Sequence, residues 1–371
     1  MNSVMKLLEK GQSVWYDNIE RRLLENGEMA GMIERGEIRG VTSNPSIFMK
    51  AITKSTDYDK SLMPLKDPAL SAEDVFFILA IEDIQAAADL FHNVYQESNG
   101  DDGLISLEVS PYIADDTEKT LMQAKDLWQR VNRPNLLVKI PGTKAGLPAF
   151  EEAIFAGVNV NITLIFSLER YREVMEAYLK GLERRVEAGL PLDTIAAVAS
   201  FFISRIDVKV DKHLQAIIDS GGEQAEKAKD LMGKAAIANA RLAYEAYKNV
   251  FNSDRFTMLR EKGARPQRPL WASTSTKNPN YRDVLYVEEL IGPETINTIP
   301  PHTLEAILDH GVIKETLEKD LEGARQCFAG LENLGISMDE VTSELLDEGL
   351  KSFADAFTLL LDAIDDRRKS G

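Results

Sequence analysis

The chain has 371 residues, 44% of them hydrophobic and 28% charged, with a formal net charge of −17. That length suits one elaborated barrel or two ordinary domains, and the composition is that of a globular protein. So acidic a surface repels phosphate backbones, and no basic stripe offsets it, so nucleic acid is not an expected partner.

The longest apolar stretches, such as 75–81, are far too short to span a bilayer. Residues 1–10 lack the basic start and apolar centre of a secretory signal. No membrane association is therefore expected, and the cytoplasm is the default location. The single cysteine, Cys327, excludes an intrachain disulfide framework and a thiolate zinc cluster. It sits in Ala324-Arg-Gln-Cys-Phe-Ala, a helical pattern. A buried structural thiol is favoured over a nucleophile there, because nothing nearby would lower its pKa. The four histidines are scattered and form no metal-binding pair, so no metal is expected. An anionic substrate would need a local positive pocket inside this negative protein.

In chain order, β-prone runs fall at 13–19, 38–43, 103–109, 135–140, 158–164, 196–202, 268–273 and 295–299. Helical patterns lie between them, at 115–131, 145–156, 168–188 and 223–251 among others. Eight strands alternating with helices imply a parallel sheet, and eight is the number that closes a barrel. The expected fold is therefore α/β, a single (β/α)8 TIM barrel over residues 1–371, with a doubly wound open sheet as the alternative. An additional long helix is expected at 71–97, with Ser71 as N-cap and Glu73 in the first turn. The region after Pro301 reads as wholly helical, giving further helices over about 303–371. Within it Leu346, Leu350, Phe353, Phe357, Leu360 and Ile364 form one apolar face. Packing on the outside of the barrel is the favoured use of that face. A subunit contact, making a homo-oligomer, or a lid over the barrel mouth are the alternatives.

Barrel strands are buried on both faces, so polar residues inside them need a reason. In 103–109, Ile105, Leu107 and Val109 would face the helices, leaving Ser106 and Glu108 pointing inward. In the fifth run Val158, Val160 and Ile162 share one face, and Asn159, Asn161 and Thr163 the other. Trp15 pairs with Asp17 in the same way, as does Thr42 with Asn44. Buried without partners, these groups would cost several kcal/mol, so they either satisfy one another or line a functional cavity. Barrel active sites lie at the C-terminal ends of the strands, where several of these residues fall.

Lys139 ends a hydrophobic run, Asn135-Leu-Leu-Val-Lys, and precedes a Pro-Gly turn. A lysine projecting into a barrel interior loses hydration, which disfavours the ammonium and leaves an amine able to attack a carbonyl. An ion pair with Glu108 on a neighbouring strand is the alternative. The two are compatible, since carboxylates also shuttle protons in iminium chemistry.

Four segments carry a family resemblance. Gly40-Val-Thr-Ser-Asn-Pro-Ser-Ile-Phe and Leu136-Leu-Val-Lys-Ile-Pro-Gly-Thr closely resemble the two transaldolase signatures, the latter around the Schiff-base lysine. Asn159-Val-Asn-Ile-Thr-Leu-Ile-Phe-Ser and Ser200-Phe-Phe-Ile-Ser-Arg match in order and spacing. The resemblance runs from about Val14 to His310 and implies a circularly permuted class I aldolase barrel. It also implies transfer of a dihydroxyacetone unit in the non-oxidative pentose phosphate pathway. The donor would be sedoheptulose 7-phosphate or fructose 6-phosphate, and the acceptor glyceraldehyde 3-phosphate or erythrose 4-phosphate. Lys139 would form the Schiff base, and Asp17 would take the C4 hydroxyl proton. Glu108 would shuttle protons through a water held with Thr163, while Asn44, Asn161 and Ser200 would hold the retained unit. The iminium is the electron sink, so no metal or other cofactor is implied.

Arg205, five residues after Ser200, matches the family's first phosphate-binding arginine. A second arginine is expected after strand seven, where the chain reads Ala272-Ser-Thr-Ser-Thr-Lys-Asn-Pro. Lys277 is the nearest substitute, with Ser273 and Ser275 as further donors; a solvated loop lysine is the alternative. A related aldolase that releases dihydroxyacetone to water, and a barrel that only binds sugar phosphates, are the competing functions.

Overall fold

The structure is a computed structural model that describes residues 2–370. Among them seven strands form one parallel sheet: β1 (Gln12–Tyr16), β2 (Ile105–Glu108), β3 (Leu136–Pro141), β4 (Val160–Ile165), β5 (Ala197–Phe202), β6 (Arg268–Ala272) and β7 (Thr295–Ile299). Their order is β1-β7-β6-β5-β4-β3-β2. Nearly every strand residue is buried, as expected where helices cover one face and packed side chains fill the other.

The run at 38–43 is not a strand. Only Val41 forms bridges there, to Tyr16 and to Ile105. Residues 39–42 still bond to both edges of the sheet. Arg39 and Thr42 donate to the carbonyls of Val14 and Tyr16, and Val41 donates to Leu104. The segment is squeezed at Gly40, where a Cβ would lie 2.8 Å from both the Leu104 carbonyl oxygen and the Trp15 ring. Directly after Ser43, Asn44 caps the helix Pro45–Lys54, so pairing ends within four residues.

Three helical expectations also need correction. The 71–97 helix breaks at Phe91 into Ala72–Leu90 and His92–Glu97. Its start is as expected at Ser71, although the residue completing the capping box is Asp74. The pattern at 223–251 divides into Glu223–Leu231 and Ala235–Phe251, because Gly233 takes a left-handed φ of 69° between them. The region after Pro301 is not wholly helical: residues 311–320 form an irregular link between Pro301–His310 and Leu321–Asn333. No helix among the described residues is long and apolar enough to cross a membrane.

The two ends of the sheet are built differently. At the N-terminal end, buried Asp102 accepts hydrogen bonds from Ser13 Oγ (2.6 Å), Trp15 Nε1 (3.0 Å) and Arg39 Nε (2.8 Å). Trp15 therefore serves structure, although it shares a face with Asp17. At the C-terminal end, the helix Met338–Ser370 packs against Pro45–Lys54, Ala72–Leu90, the turn Pro111–Ile113 and the helix Ser204–Ser220. Phe357 meets the rings of Phe76 and Tyr112 edge-on, at 5.2 and 5.3 Å between centroids. The apolar face of this helix thus packs on other helices of the chain, as favoured, and Phe353 reaches the cavity at the C-terminal ends of the strands. Cys327 is buried on Leu321–Asn333, and burial pushes its thiol up to about 11, as a structural thiol requires.

Candidate active site

Parallel register sets the floor of the site. Glu108 on β2 pairs with Lys139 on β3, and Lys139 pairs with Asn161 on β4, so all three point the same way in one layer. The Lys139 Nζ lies 3.4 Å from Glu108 Oε2 and donates to the Ser43 carbonyl at 3.1 Å. Both side chains of this pair are about 95% buried (5% and 4% exposed). The ion pair anticipated between Lys139 and Glu108 is thus present.

Burial pushes the Glu108 carboxyl up to about 7, against the opposing pull of Lys139. Neither of its oxygens has a hydrogen-bond partner, nor does Thr163 Oγ1, which is fully buried beside Pro141 on β3. Asn161 is held on both sides: its Nδ2 donates to Ser106 Oγ (3.0 Å) and its Oδ1 accepts from Ser200 Oγ (2.7 Å). Strand alternation had put Ser106, Glu108, Asn161 and Thr163 on inward faces, and the structure brings Ser106 and Asn161 into contact there.

Asp17 follows β1 and accepts from Thr42 Oγ1 at 2.7 Å; Thr42 in turn bonds to Thr298 Oγ1. Burial raises the Asp17 carboxyl, opposed by that hydrogen bond and by Lys139. Asn44 spends its Oδ1 on the Ile47 amide (3.0 Å), which leaves its Nδ2 for a ligand.

Above this floor opens a cavity of about 470 Å³. Asp17, Asn44, Lys139 and Ser200 line its base, and Arg205, Ser273 and Lys277 line its rim. Glu108, Asn161 and Thr163 lie beneath it. Burial lowers both the Arg205 and Lys277 cations from their ordinary values, and the two repel each other. Their carboxylate partners, Glu348 for Arg205 and Asp17 for Lys277, act at longer range than a direct ion pair. Two like cations on the rim of one cavity, in a protein with a net charge of −17, make a local positive patch that suits an anion, although those two carboxylates act on them.

Several cavity residues were not anticipated: Lys50, Phe202, Thr298, His302 and the placement of Phe353 over the amine. Lys50 shares a helix face with Ser46 and Ile47, so spacing from Asn44 was a usable signal. Phe353 carried no such signal. Its ring centroid is 5.9 Å from Lys139 Nζ, although more than 200 residues separate them in sequence.

This geometry can be set beside known proteins. A sequence model of the transaldolase/fructose-6-phosphate aldolase family matches residues 14–364, well past His310 and through most of the final helix. "Transaldolase 1" of Streptomyces coelicolor is 48% identical over 363 residues, 98% of this chain and 94% of that one. The transaldolase of Thermobifida fusca is 47% identical, covering 97% of each chain. That of Trichodesmium erythraeum is 44% identical, covering 99% and 98%. With a family match over nearly its whole length, a basic-rimmed cavity and a lysine at its base, the chain belongs to the transaldolase/fructose-6-phosphate aldolase family.

Proposed function

We propose that the protein is a transaldolase in which Lys139 carries a dihydroxyacetone unit from a ketose phosphate to an aldose phosphate. The observation that carries this reading is a buried amine, 3.4 Å from a carboxyl raised to about 7, under a cavity with a cationic rim. The fold is read as a (β/α)8 barrel forming one domain, with residues 39–42 in place of the eighth strand.

The Lys139 amine attacks the keto carbon of sedoheptulose 7-phosphate or fructose 6-phosphate. Loss of water from the carbinolamine gives an iminium. Glu108, beside the amine, gives and takes the protons of those steps through a water shared with Thr163, whose unsatisfied oxygens suit that role. Asp17 takes the proton of the C4 hydroxyl, the C3–C4 bond breaks, and its electrons pass to the iminium, leaving an enamine. Asn44, Asn161 and Ser200 hold the retained hydroxyls. The aldose phosphate acceptor then adds to the enamine, and hydrolysis of the new iminium frees the amine. Arg205, Lys277 and Ser273 grip the phosphate.

The test is a coupled assay with fructose 6-phosphate, run with and without erythrose 4-phosphate. Product formation that depends on the acceptor is expected. Release of dihydroxyacetone at a comparable rate without acceptor would make the protein an aldolase instead.

A further inference from the structure

The helix Ser204–Ser220 holds the loop that carries Lys277 at two places and the following helix, Leu285–Glu289, at a third. At the start of that loop, the Ser204 amide donates to the Ser273 carbonyl and the two hydroxyls meet, each at 3.0 Å. Ser273 adopts a left-handed φ of 56° to make the turn. At the far side, Tyr281 donates to Asp211 Oδ2 at 2.7 Å and Tyr286 donates to Asp207 Oδ2 at 2.8 Å. The other oxygens of the same carboxylates are also taken. Asp211 Oδ1 accepts from the Gly233 amide (2.9 Å) and Asp207 Oδ1 from the Ala236 amide (2.7 Å).

The interruption at Gly233 belongs to this arrangement. A Cβ there would lie 2.7 Å from the Tyr281 ring and 2.9 Å from its hydroxyl. The break thus makes room for Tyr281 and turns an amide toward Asp211. Asp207 and Asp211 are 1% and 8% exposed. Burying carboxylates is costly, and cohesion alone would be met better by apolar side chains, so their value lies in fixing one geometry. What they fix is the loop holding Lys277 relative to the helix holding Arg205.

We infer that Asp207 and Asp211 are positioning residues for phosphate recognition, clamping the Lys277 loop to the Arg205 helix through Tyr286 and Tyr281. The inference rests on the reading of Arg205 and Lys277 as the phosphate grip. Arg205 and Lys277 carry like charge, which opposes their sharing one rim and is only partly offset by Glu348 and Asp17. The clamp holds Lys277 in place before the phosphate arrives, and binding then loses less to ordering.

Tyr281→Phe keeps the ring against Gly233 and removes only the hydroxyl. It should raise KM for fructose 6-phosphate about five-fold, which corresponds to roughly 1 kcal/mol of lost positioning. Inhibition by inorganic phosphate should weaken in parallel, with kcat changed less than about two-fold. In a Lys277→Ala background the same substitution should add nothing, because there is no lysine left to position. Tyr286→Phe is the second variant and should behave alike. An unchanged KM and phosphate inhibition in both tyrosine variants, while Lys277→Ala weakens both, would overturn the clamp and leave the phosphate grip standing. So would an equal loss of kcat/KM for unphosphorylated fructose. If Lys277→Ala itself leaves phosphate inhibition unchanged, the grip fails and the clamp with it.

Discussion

Replacing Glu108 by glutamine keeps the shape of the side chain and removes its charge. The native carboxyl is 5% exposed, and burial pushes it from an ordinary 4.5 up to about 7. A carboxyl whose pKa is raised on folding contributes fully below its unfolded pKa, and the contribution is lost as pH rises through the folded value. The window is therefore pH 4.5 to 7. At 1.36 kcal/mol per pH unit the native protein loses about 3 kcal/mol from this group across it. Glutamine does not titrate, and the other raised carboxyls, Asp17, Asp83, Asp207 and Asp211, are common to both proteins and largely cancel. Urea unfolding of both proteins between pH 4.5 and 7.5 should show the stability difference, native minus Glu108→Gln, falling by about that amount as pH rises. kcat should drop by about a hundred-fold or more if Glu108 moves protons for the amine. A stability difference that stays flat across the window would refute the assignment of a raised, buried carboxyl.

Arg205→Ala should lower kcat/KM for fructose 6-phosphate by about 10–100-fold, the range for a lost charge-assisted hydrogen bond. An unphosphorylated ketose should suffer much less, and equal loss for both would remove Arg205 from phosphate recognition. Gly40→Ala forces a methyl group against the Leu104 carbonyl and the Trp15 ring. It should cost about 1–3 kcal/mol in urea unfolding, and an unchanged midpoint would mean that the segment beside β1 and β2 yields easily.

The inward layer was legible because period-two alternation is anchored by the apolar positions. Once Ile105 and Leu107 face the helices, Ser106 and Glu108 have no other direction, and Val160 and Ile162 fix Asn161 and Thr163 likewise. The segment at 38–43 was misread because its β-prone residues are real, yet pairing stops at the Asn44 cap. The pattern at 223–251 reads as one helix because Gly233 is tolerated inside helical periodicity. Its left-handed turn is dictated by Tyr281, which arrives from a distant loop. Phe353 was legible as apolar but not as part of the site. Amphipathic spacing marks which face of a helix is buried, and it does not say what that face will meet.

A covalent bond between Lys139 and the donor can be trapped by reduction. Fructose 6-phosphate is incubated with the protein, sodium borohydride is added, and the digested protein is mapped by mass spectrometry. A reduced dihydroxyacetone adduct is expected on the peptide containing Lys139 and on no peptide of Lys139→Ala, which should also be inactive. An adduct on a different lysine, or full activity in Lys139→Ala, would exclude Lys139 as the nucleophile.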